Sequence, residues 1–407
     1  MSYQVDHRSL AEEMELYFFD EQIGGGLPVW LPNGMIIREE LEKFIKEKEF
    51  REGYQRVSSP PLGRSSLYEK SGHLKFYKND MYPPLSMEHQ DFYLRPMNCP
   101  HHHLVFGVRP RSYRELPFRI AEYGQVFRQE PSGSLHGLRR VRGLCQNDGH
   151  IYVEPSKSKE EIKRVLDLHL ESYKDLGLSG FQFRLSKHDP ASSEFEGQKE
   201  LWILCENILR ECLVEKNLEF YEEAGEAAFY GPKIDIQMRF YSDDKPKVES
   251  MSSIQLDFLS AERFSLKYKN AEGQLKAPYI IHRAPLGSHE RFVAMLLEYF
   301  DGLLPYFLCP VQLQIYPLSE LALEKSLQLK NDLIKKGIRV QVDEKLGSSL
   351  SKRMVLGNKV RPFSMLVLGE RELKEMNAQL MLRHEEEALP LSSEALINRF
   401  REYKQDC

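Results

Sequence analysis

A run from Tyr123 to Tyr152, YGQVFRQEPSGSLHGLRRVRGLCQNDGHIY, restricts the fold more than any other part of the chain. One limb ends in FRQE and a second starts at Leu138. Between them PSGSLHG carries the Pro, Ser and Gly of a turn, so the pattern predicts strand, loop and antiparallel strand. Side chains on a strand alternate between faces. On the second limb the even face carries Arg140, Arg142, Leu144, Gln146, Asp148 and His150, and the odd face carries Arg139, Val141, Gly143, Cys145, Asn147, Gly149 and Ile151. The even face therefore runs from cations through an amide to a carboxylate and an imidazole. A core would not bury such groups without partners. A ligand with phosphate at one end and an amine at the other fits this row; so does a solvated face of an antiparallel sheet.

A length of 407 residues allows two or three domains and a large core. With 41% hydrophobic and 29% charged residues the composition is that of a soluble globular protein. No apolar run approaches the ~18 residues of a membrane span, so no membrane partner is expected. The N-terminus shows neither a signal peptide nor an Arg-rich presequence. Cys99, Cys145, Cys205, Cys212, Cys309 and Cys407 are scattered without CxxC spacing, which makes the reducing cytoplasm the expected location. A net charge of -5 gives no global attraction to nucleic acid, so RNA binding would need local basic patches.

Leu10, Met14, Tyr17 and Phe18 recur at helical spacing behind Asp6 and Ser9, predicting an amphipathic opening helix. GGGLPVWLPNG reads as a turn-rich loop, and Ile37, Leu41, Phe44 and Ile45 stripe a second helix that leads into EGYQRVSSPPL. After the central hairpin, Ser158 and Glu161 form a capping-box signature for a helix carrying Ile162, Val165, Leu166 and Tyr173. A further helix is expected from about Glu194 to Lys216 with Leu201, Leu204, Cys205 and Ile208 inward. EAAFYGPKIDIQMRF, MSSIQLDF and YIIHR read as strands, with Met251, Ser253, Gln255 and Asp257 on one face, and GSHERFVAMLLEYF starts a helix. Past DGLLPYFLCP, strands VQLQIYP, IRVQVD, SMLVLG and AQLMLR alternate with helices, as in a small α/β domain with a parallel or mixed sheet.

The segment RELPFRIAEYGQVFRQEPSGSLHGLRRVRGLCQNDGHIY resembles motif 2 of the threonyl-tRNA synthetases, a class II aminoacyl-tRNA synthetase family. LRPMNCPHHH before it and YIIHRAPLGSHERF after it agree in the expected order, and the similarity extends over nearly the whole chain. The resemblance implies an α+β fold: a class II antiparallel sheet flanked by helices over residues 1–305, then a small α/β anticodon-binding domain over 306–407. It also implies a threonine–tRNA ligase that forms threonyl-adenylate from L-threonine and ATP and transfers it to tRNA(Thr). The second helix and its following strand, ending at Pro60, resemble motif 1, which implies a homodimer.

Activation joins the amino-acid carboxylate to the α-phosphate of ATP, so the protein needs fixed cations more than a nucleophile. By resemblance Arg128 clamps the carboxylate and α-phosphate, and Arg291 lies on the far side of the nucleotide. A planar guanidinium suits both because it binds oxyanions at two points. Arg140 would face the distal phosphates, Glu130 would accept from the adenine amino group, Leu144 would pack on the base, and Mg²⁺ would accompany ATP. Cys99, His150 and His282 match the family's three zinc ligands, which leave coordination open for substrate. Isolated, a buried Cys and two hydrogen-bonded His would be the simpler reading. His101, His102 and His103 are expected to start a helix rather than bind metal. Asp148 would hold the threonine ammonium, Gln255, Tyr230 and Gln146 would orient its hydroxyl, and Met97 would line the pocket. An apolar pocket separates threonine from valine only ~10²-fold, whereas a site that demands a hydroxyl ligand rejects the analogue by ~10⁴ or more. Serine satisfies the same demand, and without an HxxxH editing motif the chain is expected to misactivate serine uncorrected in cis.

Leu144 stands where the family usually has a phenylalanine on adenine, and Ser250 and Met251 replace pocket residues. In LMLRHEEE, Met381 occupies an expected arginine position and Glu385, Glu386 and Glu387 replace cations, while KVRPFSMLVLG carries an insertion. Carboxylates repel phosphate, which weakens the anticodon expectation; Glu372 still matches a base-recognition position. Two alternatives follow: a truncated paralogue that loads threonine onto another acceptor, and a non-catalytic threonine or tRNA sensor.

Overall fold

A computed structural model describes residues 6–192, 195, 197–242, 245–383 and 385–405. The principal sheet comprises β1 (Gln55–Arg56), β2 (Phe118–Phe127), β3 (Gly143–Val153), β4 (Gln182–Lys187), β5 (Phe220–Ala224), β6 (Lys233–Ser242), β7 (Lys245–Asp257) and β8 (Tyr279–Arg283). Their order is β5-β4-β6-β7-β8-β3-β2-β1, antiparallel except for a parallel pair at each edge. One face is covered by α1 (His7–Glu13), α2 (Pro32–Arg51), α4 (Ser158–Asp175), α5 (Lys199–Glu215) and α6 (His289–Tyr299). Ile37, Leu41, Val165, Leu166, Trp202, Leu209, Val293 and Leu297 pack there on Ile151, Val153, Ile236, Ile254 and Ile281. Burial of this order, ~1.5–3 kcal/mol for each large side chain, holds the sheet to its helices.

The opposite face is split. Tyr152, Ile280, Ile120 and Phe118 pack under Phe106 of α3 (Cys99–Gly107). Farther up β3 the same side presents His150, Asp148 and Gln146. The apolar half anchors α3 on the sheet, and the polar half is left for a site.

Beyond Pro305, β9 (Leu313–Pro317), β10 (Val340–Val342), β11 (Ser364–Leu368), β12 (Asn377–Leu382) and β13 (Glu386–Pro390) form a mixed sheet in the order β10-β9-β11-β12-β13. The pairs of β9 with β10 and β11 are parallel and the last two antiparallel. Helices α7 (Glu320–Ile334), α8 (Leu350–Gly357), α9 (Glu370–Glu375) and α10 (Ser393–Gln405) accompany it, and Leu329, Leu333, Leu366, Leu380, Leu396 and Phe400 share its core. Arg339 ties the two parts, donating to Glu40 of α2 at 3.1 Å and to the Phe307 carbonyl at 2.6 Å. Among the described residues no helix is long and apolar enough to cross a membrane.

Several local expectations fail. The opening helix stops at Glu13, and Tyr17–Phe18 instead pair antiparallel with Val29–Trp30, inside the segment expected to be only loop. Leu16 and Gly34 explain the stop: a Cβ on Gly34 would lie 2.1 Å from the Leu16 carbonyl oxygen, so the chain must cross α2 closely there. The Ser158–Glu161 capping box is absent, because Ser158 Oγ donates to the Pro155 carbonyl at 2.7 Å and Glu161 pairs with Arg119 across the sheet edge. Tertiary charge pairing has taken the capping carboxylate. Helix α5 begins at Lys199, while the expected start at Glu194 lies outside the described residues. Leu204 faces solvent at 48% exposure; Cys205 points inward as expected, and Trp202 and Leu209 join it. Arg140 and Arg142 precede β3 rather than lying on it. The helix α9 and the strand β13, which begins within the glutamate run, were not expected.

A buried ion pair crosses the sheet beneath the site. Arg283 Nη1 donates to Glu49 Oε1 at 2.6 Å with neither side chain exposed, and its guanidinium stacks 4.1 Å from the Tyr54 ring centroid. Gly149 faces it across the β3–β8 register, and a Cβ at that position would lie 2.6 Å from the guanidinium carbon. Because both ends of Arg283 are held, Gly149→Ala is expected to cost about 1–3 kcal/mol, measured as a lower urea midpoint with an unchanged m-value.

Candidate active site

Cross-strand register assembles the site. His150 lies opposite His282, His282 opposite Gln255, and Gln255 opposite Lys233, forming one row across four strands. Directly opposed residues in a ladder sit ~4.5–5.5 Å apart, so groups distant in sequence become neighbours without any loop being involved. Cys99, the first residue of α3, is delivered to the same spot by the apolar anchorage of that helix. One ligand atom each from Cys99, His150 and His282 lies within 4.8 Å of the others, and all three residues are buried.

The hydrogen bonds around this triad favour a cation. His282 Nε2 lies 2.9 Å from Asp257 Oδ2. Burial raises the Asp257 carboxyl, but the bond and charge of His282, together with His103 and Ser260, outweigh it and hold the group below its ordinary range, so His282 donates from Nε2. Glu122, raised by burial but held down to about 2 by His102, Ser59 and Arg95, requires a proton from His102 Nε2 at 3.0 Å. His102 Nδ1 is then an acceptor for His150 Nδ1 at 2.7 Å. With neutral rings, His150 Nε2 and His282 Nδ1 meet at 2.9 Å with a lone pair each. Burial, then His282 and His102, pushes His150 well below its ordinary value, which removes a proton from that gap. A shared cation relieves the clash, and Cys with two imidazoles is a donor set suited to zinc. Asp257 directly behind His282, and His102 backed by Glu122 behind His150, give each imidazole the second support usual for such ligands. Burial pushes the Cys99 thiol well up, with Asp148 and Asp257 adding to it, so the sulfur becomes a thiolate only when a cation is bound.

Two other groupings among the described residues have comparable spacing. In Asp6–His7–Glu298 the carboxylate is already used by His7 at 2.7 Å and by Arg139. In Glu42–Cys145–His289, Lys46 holds Glu42 at 2.8 Å and Arg38 bonds the Cys145 side chain, so two cations already stand there. Neither competes with the first.

A cavity of about 630 Å³ opens over the triad, and every residue expected at the amino-acid and nucleotide sites lines it: Met97, Cys99, Arg128, Glu130, Arg140, Leu144, Gln146, Asp148, His150, Tyr230, Gln255, His282 and Arg291. Asp148 accepts from Asn98 Nδ2 at 2.9 Å, which aims it beside the triad. Asn98 itself packs on Gly124, where a Cβ would lie 2.2 Å from its Oδ1. Tyr230 stacks on His282 with centroids 4.7 Å apart and donates to Gln255. Leu144 packs with Val126 and Val141 in a small apolar cluster. The other end of the cavity is cationic. Arg291 Nε donates to the Arg139 carbonyl and Nη1 to that of Ser250, both at 3.1 Å. Burial lowers the pKa of Arg291, Glu249 and Glu130 oppose the shift, and the nearby Arg128 and Arg140 add to it. Glu130 accepts from Arg140 at 2.8 Å.

Arg142 has a scaffold role, its guanidinium donating to the Glu130 carbonyl at 2.8 Å and that of Gly25 at 3.1 Å. Glu372 lies outside the cavity on α9, where its carboxylate caps the Gly369 N–H at 2.8 Å. Sequence reasoning missed His73, whose Nε2 is 3.8 Å from Cys99 Sγ, and the role of His102 behind His150. It also missed Asn98. No spacing rule links these residues to their partners, though three consecutive histidines at a helix start were a visible cue for His102.

Residues 77–300 match the family described as tRNA synthetase class II core domain (G, H, P, S and T), and residues 312–403 match the anticodon binding domain. A threonine–tRNA ligase of Geobacillus sp. strain WCH70 is 46% identical over 375 residues, covering 91% of the chain and 57% of that relative. One from Anoxybacillus flavithermus is 43% identical over 95% of the chain and 60% of its own length. The chain thus spans under two thirds of these curated relatives. Among solved structures, the RNA binding domain of threonyl-tRNA synthetase from Cryptosporidium parvum Iowa II has TM-score 0.90 and 34% identity, covering 98% of both chains. Putative threonyl-tRNA synthetase ThrRS-1 from Aeropyrum pernix gives 0.88 and 30%, covering 99% of the chain and 96% of that structure.

Proposed function

The chain belongs to the class II tRNA synthetases that share the G, H, P, S and T core, and from that premise we propose that it activates L-threonine with ATP and passes the threonyl group to tRNA(Thr). The observation that carries the choice of threonine is the convergence of Cys99, His150 and His282 beside Asp148 in one cavity whose far end is cationic. In this reading Cys99, His150 and His282 hold Zn²⁺, which when bound supplies open coordination for an amine and a hydroxyl. Asp148, oriented by Asn98, takes the ammonium. Gln255 and Tyr230, fixed to each other, and Gln146 face the hydroxyl. Arg128 and Arg291 neutralise the carboxylate and the α-phosphate so that two anions can approach, and Arg140 faces the departing pyrophosphate, whose charge Mg²⁺ accompanying ATP would help to offset. Glu130 and Leu144 bracket the base. Motif 1, with α2 and Pro60, is assigned to a homodimer.

Threonine-dependent exchange of pyrophosphate into ATP tests the activation step. Valine is expected to be rejected by ~10⁴-fold or more, while serine, lacking only a methyl group, is expected to lose only ~10–200-fold in kcat/KM. A valine rate near that of serine would remove the hydroxyl-ligand argument. Transfer to tRNA is supported by the match of residues 312–403 to an anticodon binding domain. The glutamate run is partly neutralised there: Arg399 donates to Glu387 at 2.6 Å and to Glu385 at 3.3 Å. Charging of a tRNA(Thr) transcript, intact against anticodon-mutated, separates tRNA transfer from transfer to another acceptor and reads whether Glu372 recognises a base.

A further inference from the structure

We propose that His7, on the opening helix, is a positioning residue for the nucleotide half of the site, a role that rests on the adenylation reading above. His7 is fully buried, and its two hydrogen-bonding ring contacts, Glu298 and Leu138, both lie far away in sequence. Its Nδ1 is 2.7 Å from Glu298 Oε1 near the end of α6, with Asp6 Oδ1 at 3.4 Å, and its Nε2 accepts the Leu138 N–H at 3.1 Å. The two contacts fix one tautomer: Nδ1 donates, Nε2 accepts. The second oxygen of Glu298 pairs with Arg139, whose carbonyl receives Arg291 Nε at 3.1 Å. One imidazole thus joins α1, the returning end of the hairpin loop and α6, and through Arg139 it sets the direction of Arg291. The fit is close. Gly137 adopts φ +47°, and a Cβ there would lie 2.2 Å from His7 Nε2.

Removing the ring leaves the buried Leu138 N–H without its partner and Glu298 Oε1 with only the His7 backbone N–H at 3.3 Å, so the loop return must shift to satisfy Leu138 and carries the Arg139 carbonyl with it. Displacements of about 1 Å at a positioning group cost up to ~10²-fold. His7→Ala is therefore expected to lower kcat/KM for ATP by ~10–100-fold and to raise the calorimetric Kd for ATP, leaving the threonine KM and the zinc content unchanged. His7→Gln, whose carboxamide reaches the Nε2 position, keeps the loop bond, while His7→Asn reaches only the Nδ1 position. His7→Gln is expected to recover more ATP affinity than His7→Asn. The proposal is overturned if His7→Ala lowers the melting temperature without changing ATP affinity, or if the ATP and threonine KM values rise together. Should His7→Ala not fold, the Gln and Asn pair decides, equal ATP affinities counting against the latch. Absence of threonine-dependent exchange in the wild type would overturn the adenylation reading instead, with ATP Kd still deciding the role of His7.

Discussion

Cys99→Ala is expected to purify without the zinc proposed for the triad and to lose ~10⁴-fold or more in threonine-dependent pyrophosphate exchange, with ATP affinity little changed. The separation follows from the layout of the cavity. Cys99 clusters with His150 and His282 at the end proposed for the amino acid, whereas Arg128, Arg140 and Arg291 line the same cavity at its cationic end. Without the sulfur, two imidazoles remain, supported by His102 and Asp257 but too few to hold a dication tightly. Metal analysis, exchange kinetics and ATP calorimetry on the same preparation check the three parts. Full zinc content in Cys99→Ala would show that another group completes the site, and His73, 3.8 Å from the sulfur, would be the one to test. Chelation of the wild type should copy the variant, and addition of Zn²⁺ should restore the wild type alone.

Arg128→Ala should leave the zinc in place and lower kcat for exchange by ~10²–10³-fold, or about 3–4 kcal/mol of transition-state stabilisation. Arg128 stands just past the end of β2, where its N–H donates to the Arg142 carbonyl at 2.9 Å and its Nε to that of Pro96 at 3.3 Å. These bonds hold it at the mouth of the cavity beside two other arginines. Clustered cations repel one another in the free protein, and an anion carrying more charge in the transition state relieves that repulsion most. The effect therefore belongs to kcat rather than to the affinity for threonine. A Lys at 128 keeps the charge but loses the two-point fork, and should recover only part of the rate. Equal loss in kcat for Arg128→Ala and Arg128→Lys would assign the role to geometry; no loss in either would remove Arg128 from the chemistry.

Alternation along Gly143–Val153 was enough to place Gln146, Asp148 and His150 on one face, and the β3 register bears that out, because a strand with one buried face has no freedom to rotate its side chains. The same periodicity misread the start of the segment. Arg140 and Arg142 continue the even count, yet they lie before the strand, and Arg142 spends its donors on the Glu130 and Gly25 carbonyls. Helical spacing likewise carried the opening helix through Tyr17 and Phe18, which pair as a strand with Val29–Trp30. In both cases a local pattern was overruled by a contact with a segment distant in the chain. Ser158 and Glu161 show the same conflict at an N-terminus: the spacing for a capping box is present, but Arg119 takes the carboxylate.

What the amino-acid order determined by itself is the set of alternating faces, the helical stripes and the identity of the donor atoms, since these depend on residue type and on the two backbone periods. It could not say that His150, His282 and Gln255 fall in one row, because register between strands that no tight turn connects is set by which apolar faces pack against the helices. Nor could it join His7 to Glu298 or His102 to His150. Those pairings exist only once the helices are seated on the sheet, where burial makes an unmet hydrogen bond costly and so selects one tautomer and one geometry.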